Sequence, residues 1–428
     1  MPSYKALNPQ QSNQELQALE TRFHAFASQK LKLNMTRGKP CTEQLDLSAN
    51  LMTCLSELDY KALDGTDCRN YGGLDGLPEA KRLFADLLDI TPQQVMVLGN
   101  SSLNLMYDML TRAMLFPLPG AEQPWSKLEK IRFICPVPGY DRHFFVTQAL
   151  GFDMIPVPMT ATGPDMDAVE ALVAADPAIK GMWLVPVYSN PEGVTCSADT
   201  CRRLAAMPTA APDFRLFWDN AYVVHHLDPA APQSTPEILS LCAAAGHPDR
   251  VFEFASTSKI TWSGAGIACL AASTANLAYT HKHMSVQTIG PDKVNQLRHC
   301  RFLKDKAGVL AIMAQHAAIL RPKFDLVQEV LTAELEGTGV CRWLQPKGGY
   351  FVSLSVLPGT AGEVVRLAKT CGVELTPAGN PYPHGHDPLD TNIRLAPSFP
   401  PMQELRTALE VLCTCIRLAA LRKIRSET

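Results

Sequence analysis

The chain has 428 residues, more than one hydrophobic core of ordinary size contains, and this length predicts two domains. Hydrophobic residues account for 46% and charged residues for 19%, a globular composition that excludes a disordered chain. Lysine and arginine number 39 against 42 acidic residues, which gives a net charge of −3. A nearly neutral chain indicates no basic surface, so neither nucleic acid nor an acidic membrane is an expected partner.

The N-terminal residues and the cysteines predict a cytoplasmic protein. Residues 1–14 are polar and lack the apolar segment of a secretory signal, and the longest apolar runs are too short to span a membrane. The 13 cysteines are scattered and no two have C-x-x-C spacing. We therefore expect reduced, buried thiols and no metal site.

In chain order, the sequence predicts a helix over 10–30, an irregular stretch over 33–46 and a helix over 78–88. Seven short apolar runs then alternate with helical patterns, as in an α/β domain with a mainly parallel sheet. The apolar runs cover 95–98, 131–135, 154–157, 182–187, 216–218, 251–255 and 267–271. The helical patterns cover 103–115, 142–150, 165–175 and 198–206.

The pattern changes after about residue 290, where a smaller α+β domain is predicted. Its helices cover 293–319, 322–335, 363–371 and 402–424, and its strands cover 350–356 and 392–395. The predicted division is an N-terminal segment (1–49) that packs with the small domain, a large domain (50–295) and the small domain (296–428).

Polar residues follow four predicted strands, at the sheet edge where α/β proteins form their active sites. Residues 99–102 (Gly-Asn-Ser-Ser) precede a helix and form either an anion seat or a plain N-cap. Asn190 lies in an Asn-Pro-Glu-Gly turn that is also typical of an ordinary loop. Asp219 and Lys259 each follow a further strand, and the alternatives are a helix N-cap and a solvated lysine.

Taken together, these residues indicate pyridoxal phosphate as the cofactor. This cofactor needs an amine for its aldehyde, an anion beside its pyridine nitrogen and donors for its phosphate. The amine reacts only when neutral, and deprotonating an ordinary lysine at pH 7 costs roughly 4–5 kcal/mol. A desolvated site lowers that cost.

The motifs and their order resemble those of the class I aminotransferase superfamily, which are fold-type I pyridoxal-phosphate enzymes. The resemblance extends from about Leu33 to Arg394. It is greatest to a divergent aspartate aminotransferase subgroup related to the aminotransferase-like domains of MocR regulators. It implies a large three-layer α/β/α domain with a mainly parallel seven-stranded sheet, a smaller α+β domain and a homodimer.

The resemblance also implies roles for three residues that act on the cofactor aldehyde or on its ring nitrogen. Lys259, in the Ser-x-Ser-Lys motif, is the amine that bonds to the cofactor aldehyde and later carries a proton. Asp219 pairs with the pyridine nitrogen and keeps it protonated. His143 lies behind Asp219 as a supporting partner, and the alternative for it is a structural histidine.

Three further residues contact the cofactor ring if the resemblance holds. Tyr222 and Asn190 hydrogen-bond the ring oxygen. Tyr140, in a Pro-x-Pro-x-Tyr motif, stacks on the ring, and the alternative for it is a core tyrosine.

For the phosphate, the resemblance implies Ser101, Ser102 and Ser256 as donors, and Tyr71 as a tyrosine that reaches the neighbouring subunit's site. One departure from the family is clear. The family has an arginine about eight residues after the lysine, whereas here no lysine or arginine occurs before Lys282. Either neutral donors hold the phosphate, or another cation replaces the arginine.

The resemblance further implies that Arg394 grips the substrate α-carboxylate, because the planar guanidinium matches a carboxylate with two hydrogen bonds. Gly38 allows a loop to close on the substrate. Arg37, Lys39 and Arg142 are candidates for a distal carboxylate, with solvated surface charges as the alternative. The expected substrates are aspartate and 2-oxoglutarate, from the subgroup resemblance.

Two other functions remain open at this point. One is a ligand-sensing, aminotransferase-like domain of a regulator, although only about thirty non-basic residues precede the resemblance. The other is a related enzyme that eliminates or decarboxylates, because the same residues serve those reactions as well.

Overall fold

The computed structural model describes residues 3–427. Its strands are β1 (Leu33–Asn34), β2 (Val95–Val97), β3 (Arg132–Val137), β4 (Asp153–Thr160), β5 (Gly163–Pro164), β6 (Ile179–Leu184), β7 (Arg215–Asp219), β8 (Val251–Ser256), β9 (Ala268–Ala272), β10 (Cys341–Trp343), β11 (Val352–Val356), β12 (Val373–Glu374) and β13 (Asn392–Leu395). Its helices are α1 (Pro9–Ser28), α2 (Thr42–Asp46), α3 (Pro78–Leu88), α4 (Ser102–Leu115), α5 (Asp141–Ala149), α6 (Met166–Ala175), α7 (Ala198–Ala206), α8 (Ile238–Ala244), α9 (Thr274–Met284), α10 (Lys293–Leu303), α11 (Lys306–Leu335), α12 (Ala361–Thr370) and α13 (Met402–Ser426). Among residues 3–427, no helix is long and apolar enough to cross a membrane.

Eight strands form the central sheet, in the order β2-β9-β8-β7-β6-β3-β4-β5. Strands β9 and β5 are antiparallel to their neighbours, and the other six run in one direction. All seven predicted strands are present, which confirms the mainly parallel α/β fold. The eighth strand, β5, is a two-residue edge that carries no apolar run, so the sequence did not indicate it.

Successive side chains of a strand point to opposite faces, and this alternation builds two cores on the central sheet. On one face, Phe217 and its neighbours pack against α4 and α9. On the other face, Leu216 and Trp218 pack in a core that includes residues of α3, α6, α7 and α8. The sheet is therefore the middle of three layers, and its strands are apolar because both faces are covered.

A third core joins the N-terminal helix to the last third of the chain. Leu19 and Phe23 of α1 lie in one cluster with residues of α11, α12 and α13. The sequence predicted an irregular stretch over 33–46, and this is wrong in part. Leu33 pairs with Val373 as β1 joins β12, and α2 follows. The domain boundaries given above stay a prediction.

The predicted helix break near residue 320 is wrong. The break lies between α10 and α11, where Lys304 has a φ of 66° and Asp305 caps the next helix. Helix α11 continues through Pro322. A proline inside a helix removes one hydrogen bond, but the apolar face of α11, with Phe324 and its neighbours, is buried and offsets that loss.

One buried acid within the central sheet, Glu253, forms no ion pair among residues 3–427. Glu253 on β8 is 3% exposed and accepts a hydrogen bond from Asn220 Nδ2 at 2.9 Å. Burial raises the pKa of Glu253 to about 8. The folded protein therefore keeps a proton on Glu253 at pH values where the unfolded chain has released it.

We expect this proton to make the free energy of unfolding fall as the pH rises from about 4.5 to about 8. Glu253→Gln keeps the acceptor for Asn220 and removes the titration. Its stability relative to wild type should therefore increase across this range, by up to about 1.4 kcal/mol per pH unit. Urea unfolding at several pH values measures the difference. Exposed Glu129→Gln is the control, and a Glu253→Gln difference that does not change with pH contradicts the prediction.

Candidate active site

A cavity of about 650 Å³ opens beside the ends of β7 and β8 and the first turns of α4 and α5. Eleven of the thirteen predicted site residues line it. They are Arg37, Gly38, Ser101, Ser102, Tyr140, Asn190, Asp219, Tyr222, Ser256, Lys259 and Arg394. Ser101, Asp219 and Ser256 meet there because the strands that precede or contain them end at the same edge of the sheet. Arg37, Gly38 and Arg394 reach the cavity from outside that sheet.

Asp219 ends β7 and is 2% exposed. Its Oδ2 lies 3.0 Å from Nε2 of His143, whereas its Oδ1 has no hydrogen-bond partner within residues 3–427. His143 is held in turn by Trp183, whose ring stacks on the imidazole at 4.4 Å. A buried carboxylate oxygen without a partner is costly, so Asp219 Oδ1 is suited to a donor that comes from outside the chain.

Lys259 follows β8 and faces the same cavity. Its Nζ lies 4.8 Å from the centroid of the Tyr222 ring and forms no ion pair in the part of the chain that the structure describes. Burial lowers the pKa of Lys259, and the charge of Asp219 opposes this in part. The lowered pKa enlarges the fraction of neutral amine, which is the nucleophilic and proton-accepting form.

Two tyrosines of the cavity wall hold their protons strongly. Burial raises the pKa of Tyr222 well above its usual value, and the ring stacks on that of Tyr350 at 6.1 Å. Burial raises the pKa of Tyr140 to about 12, and its ring meets that of His143 edge-on at 4.9 Å. Both phenols are therefore hydrogen-bond donors at neutral pH.

A cluster of serines lies at the N-terminus of α4. Ser101 is the N-cap and accepts a hydrogen bond from Asn104 N at 3.4 Å, so the plain capping role is present. Ser256 Oγ lies 3.1 Å from Ser258 Oγ. The 14-residue helix also directs its first N–H groups and the positive end of its dipole to this region. Hydroxyls and helix N-terminus together can bind an anion without a basic side chain.

Arg394 lies on β13 and is 7% exposed. Its Nη1 and Nη2 lie 3.1 and 3.3 Å from the two carboxylate oxygens of Asp141, and Nη1 also donates to Asn190 at 3.5 Å. Sequence reasoning missed Asp141, because an acid at the start of a helix is ordinary. Its position directly after Tyr140 was the one available signal.

Gly38 packs closely against an aromatic side chain. A Cβ at this position would be 2.5 Å from the Phe351 ring. Phe351 lines the cavity and carries the Arg394 guanidinium 5.1 Å from its centroid, so the Gly38 segment approaches the arginine closely. Phe351 was not predicted, since nothing distinguishes it from a core residue in the sequence.

Three exposed cations, Arg37, Lys39 and Arg142, also line the cavity. Lys39 Nζ lies 4.0 Å from the Phe399 ring, and no ion pair to any of the three occurs among the described residues. Two predicted residues lie outside the cavity. His143 is behind Asp219, and Tyr71 is 82% exposed.

Known proteins show the family and the fold of this chain. Residues 7–427 match the sequence model of the family described as aspartate amino-transferase. An aspartate aminotransferase of Corynebacterium glutamicum is 50% identical over 402 residues, which cover 94% of this chain and 93% of that protein. The crystal structure of an aspartate transaminase of that species has a TM-score of 0.96 at 48% identity and covers 99% of both chains.

A more distant structure shares the fold alone. The α-aminoadipate aminotransferase of Thermus thermophilus, complexed with a phosphopyridoxyl-leucine, has a TM-score of 0.73 at 19% identity and covers 93% of this chain and 94% of its own. The fold, the cavity at the strand ends and the match over nearly the whole sequence agree, and the chain belongs to the aspartate aminotransferase family of the class I aminotransferases.

Proposed function

We propose that the protein is a pyridoxal-phosphate-dependent aspartate aminotransferase, which converts L-aspartate and 2-oxoglutarate to oxaloacetate and L-glutamate. One observation carries the proposal. An unpaired, desolvated lysine and an unpartnered carboxylate oxygen face the same cavity, which also holds a buried arginine. The 50% identity to a relative named aspartate aminotransferase supports the choice of substrates.

The donor set fits the cofactor. Lys259 offers the amine that its aldehyde needs, and Asp219 Oδ1 offers an acceptor for its ring nitrogen. Ser101, Ser102 and Ser256, with the N-terminus of α4, offer neutral donors for its phosphate, which is consistent with the missing arginine. When bound, pyridoxal phosphate withdraws electrons from the Cα of an amino acid and so makes its proton removable.

The chain's own residues move and hold the protons. Lys259 is the base that takes the Cα proton and returns it to the cofactor side, a task for which its lowered pKa favours the neutral form. Tyr222 keeps its own proton and donates a hydrogen bond. His143 orients Asp219 from behind, so that the other carboxylate oxygen stays directed into the site.

Substrate selection follows from the charges. Arg394 binds the α-carboxylate with its fork, beside Asn190. A dicarboxylic substrate has a second carboxylate, and Arg37, Lys39 and Arg142 are the unpaired cations of the described cavity that can meet it. Closing the Gly38 segment over Phe351 would exclude water from this contact.

The covalent attachment of the cofactor provides a direct test. We expect borohydride reduction of the holoprotein, followed by peptide mapping, to find the cofactor on Lys259. Lys259→Ala should lose the label and the activity, because Lys259 is the buried amine that shares the cavity with Asp219, whereas Lys39, which also lines the cavity, is exposed and lies on the Phe399 ring. Lys282→Ala removes an exposed lysine of α9 and should retain both. A label on another lysine would contradict the assignment of every residue around Asp219.

Mixing the holoprotein with aspartate alone tests the reaction class. We expect the absorption to shift to that of the pyridoxamine form with release of one oxaloacetate per site, since transamination stops after the first half-reaction. Addition of 2-oxoglutarate should restore the original spectrum and produce glutamate. Release of ammonia or alanine would instead identify a lyase or a decarboxylase. A spectral change without turnover would identify a ligand-sensing domain.

We further infer that the protein is a homodimer in which Tyr71 reaches the partner's phosphate site. Tyr71 is 82% exposed, and Val286 and Ile289 add exposed apolar surface at 84% and 61%. Gly290 packs so closely on the backbone of Gly72 that a Cβ there would lie 2.6 Å from Gly72 O, which brings these two segments together. Exposed apolar patches of this kind are typical of subunit interfaces.

If Tyr71 reaches the partner's phosphate site, removal of its hydroxyl should weaken cofactor binding. We expect analytical ultracentrifugation to show a dimer for wild type and for Tyr71→Phe, and cofactor titration to show weaker binding for the variant. Loss of one hydrogen bond to a charged group corresponds to a Kd about tenfold higher. Tyr107→Phe, on exposed α4 surface, is the control. An unchanged Kd for Tyr71→Phe contradicts the role of this tyrosine.

A further inference from the structure

The ion pair between Asp141 and Arg394 is not accounted for by the proposed reaction. Both side chains are buried, with 12% and 7% of their surface exposed. The two terminal nitrogens of the guanidinium face the two oxygens of Asp141, at 3.1 and 3.3 Å. This is the two-pronged contact that a substrate carboxylate would make with the same arginine. A carboxylate of the chain itself already occupies that place.

Asp141 occupies the end of the guanidinium that both terminal nitrogens share. A side-on contact would instead use Nε, which is buried and has no hydrogen-bond partner among residues 3–427. Nη1 also donates to Asn190, and the guanidinium lies 5.1 Å from the centroid of the Phe351 ring. A substrate carboxylate can therefore bind both terminal nitrogens of Arg394 only where Asp141 now binds.

The N–O distances between Arg394 and Asp141 are longer than those of a tight charge-assisted hydrogen bond. Such contacts have N–O distances of about 2.7–2.9 Å. Arg22 and Glu334 reach 2.8 and 2.9 Å in the same protein. Asp141 is also the first residue of α5, where the helix N-terminus stabilises a carboxylate whether or not an arginine is present. Releasing Arg394 therefore does not leave Asp141 without a favourable environment.

We propose that Asp141 is an internal substitute for the substrate carboxylate. It neutralises the buried Arg394 while the cavity is empty and releases it when a substrate carboxylate binds. An unpaired buried guanidinium would be costly, so the contact with Asp141 stabilises the protein when no substrate is bound. This inference rests on the proposed function, because it takes Arg394 as the carboxylate site. Asp141 acts through Arg394 and is a positioning residue.

The proposal predicts a change in carboxylate affinity opposite to that expected if Asp141 only oriented Arg394. If Asp141 competes with the substrate, removing its charge strengthens carboxylate binding, because no contact has to be broken first. If Asp141 only holds Arg394 in place, removing its charge weakens binding. Because the competition acts on binding, its removal changes KM more than kcat.

Calorimetric titration of the holoprotein with succinate, an unreactive dicarboxylate, measures this directly. We expect the Kd of Asp141→Asn for succinate to be about tenfold lower than that of wild type. KM for aspartate should fall by a similar factor. Asp108→Asn removes a partly buried acid beside Arg112, outside the cavity, and should leave both values unchanged. An equal or higher Kd for Asp141→Asn would overturn the proposal.

A crystal structure of the wild-type holoprotein with succinate keeps the test independent of how the variant folds. We expect a succinate carboxylate on the Arg394 fork and both Asp141 oxygens beyond about 4 Å from it. Retention of the pair with succinate bound elsewhere would overturn the inference while aspartate turnover persists. Absence of both succinate binding and aspartate turnover in wild type would instead contradict the proposed function, and the inference with it.

Discussion

The burial of Asp219 at the end of β7 is the constraint on which the site depends. A carboxylate at 2% exposure has lost most of its hydration, and His143 compensates only one of its oxygens. Trp183 stacks on the imidazole and supports the orientation in which His143 contacts one oxygen and leaves the second without a partner among the described residues. The fold thus maintains a directed, unsatisfied acceptor in the cavity, which stability alone does not explain.

The charges of the other buried residues in the cavity are reduced or paired. Lys259 and Asp219 line the same cavity without forming an ion pair. Burial lowers the pKa of Lys259, which favours the neutral amine. Arg394 is neutralised by Asp141. The deep cations of the cavity therefore either have a lowered pKa, as Lys259 does, or are paired with an acid, as Arg394 is. The shallow cations Arg37 and Lys39 are exposed and unpaired among the described residues. Charged groups are retained where a ligand can use them.

The architecture explains why these groups meet. Six strands of the central sheet point the same way, so β7 and β8 end beside one another. Strand β13, which carries Arg394, belongs to a separate antiparallel sheet. A core shared by α1 and the last third of the chain supports that sheet and the segment that contains Gly38. The site lies between the parallel sheet and this second assembly, which is a common place for a ligand pocket.

Local sequence patterns were sufficient to predict the main strands and part of the site. Seven apolar runs predicted the seven main strands, and polar residues after them predicted Asp219 and Lys259 at the cavity. The resemblance added Arg394, which the structure places at the same cavity. The patterns failed where neighbours in space decide the outcome, as at the break beside Lys304 and at Pro322, which tertiary packing holds inside a helix.

The sequence by itself determined the fold class and the chemical character of the site, because periodicity and residue type are local properties. Only the tertiary structure decided which groups are paired. Asp141 and Arg394 are 253 residues apart, and Gly38 and Phe351 are similarly remote, so no local pattern connects them. Burial, orphaned atoms and competing contacts depend on distances between side chains, and those distances exist only once the chain has folded.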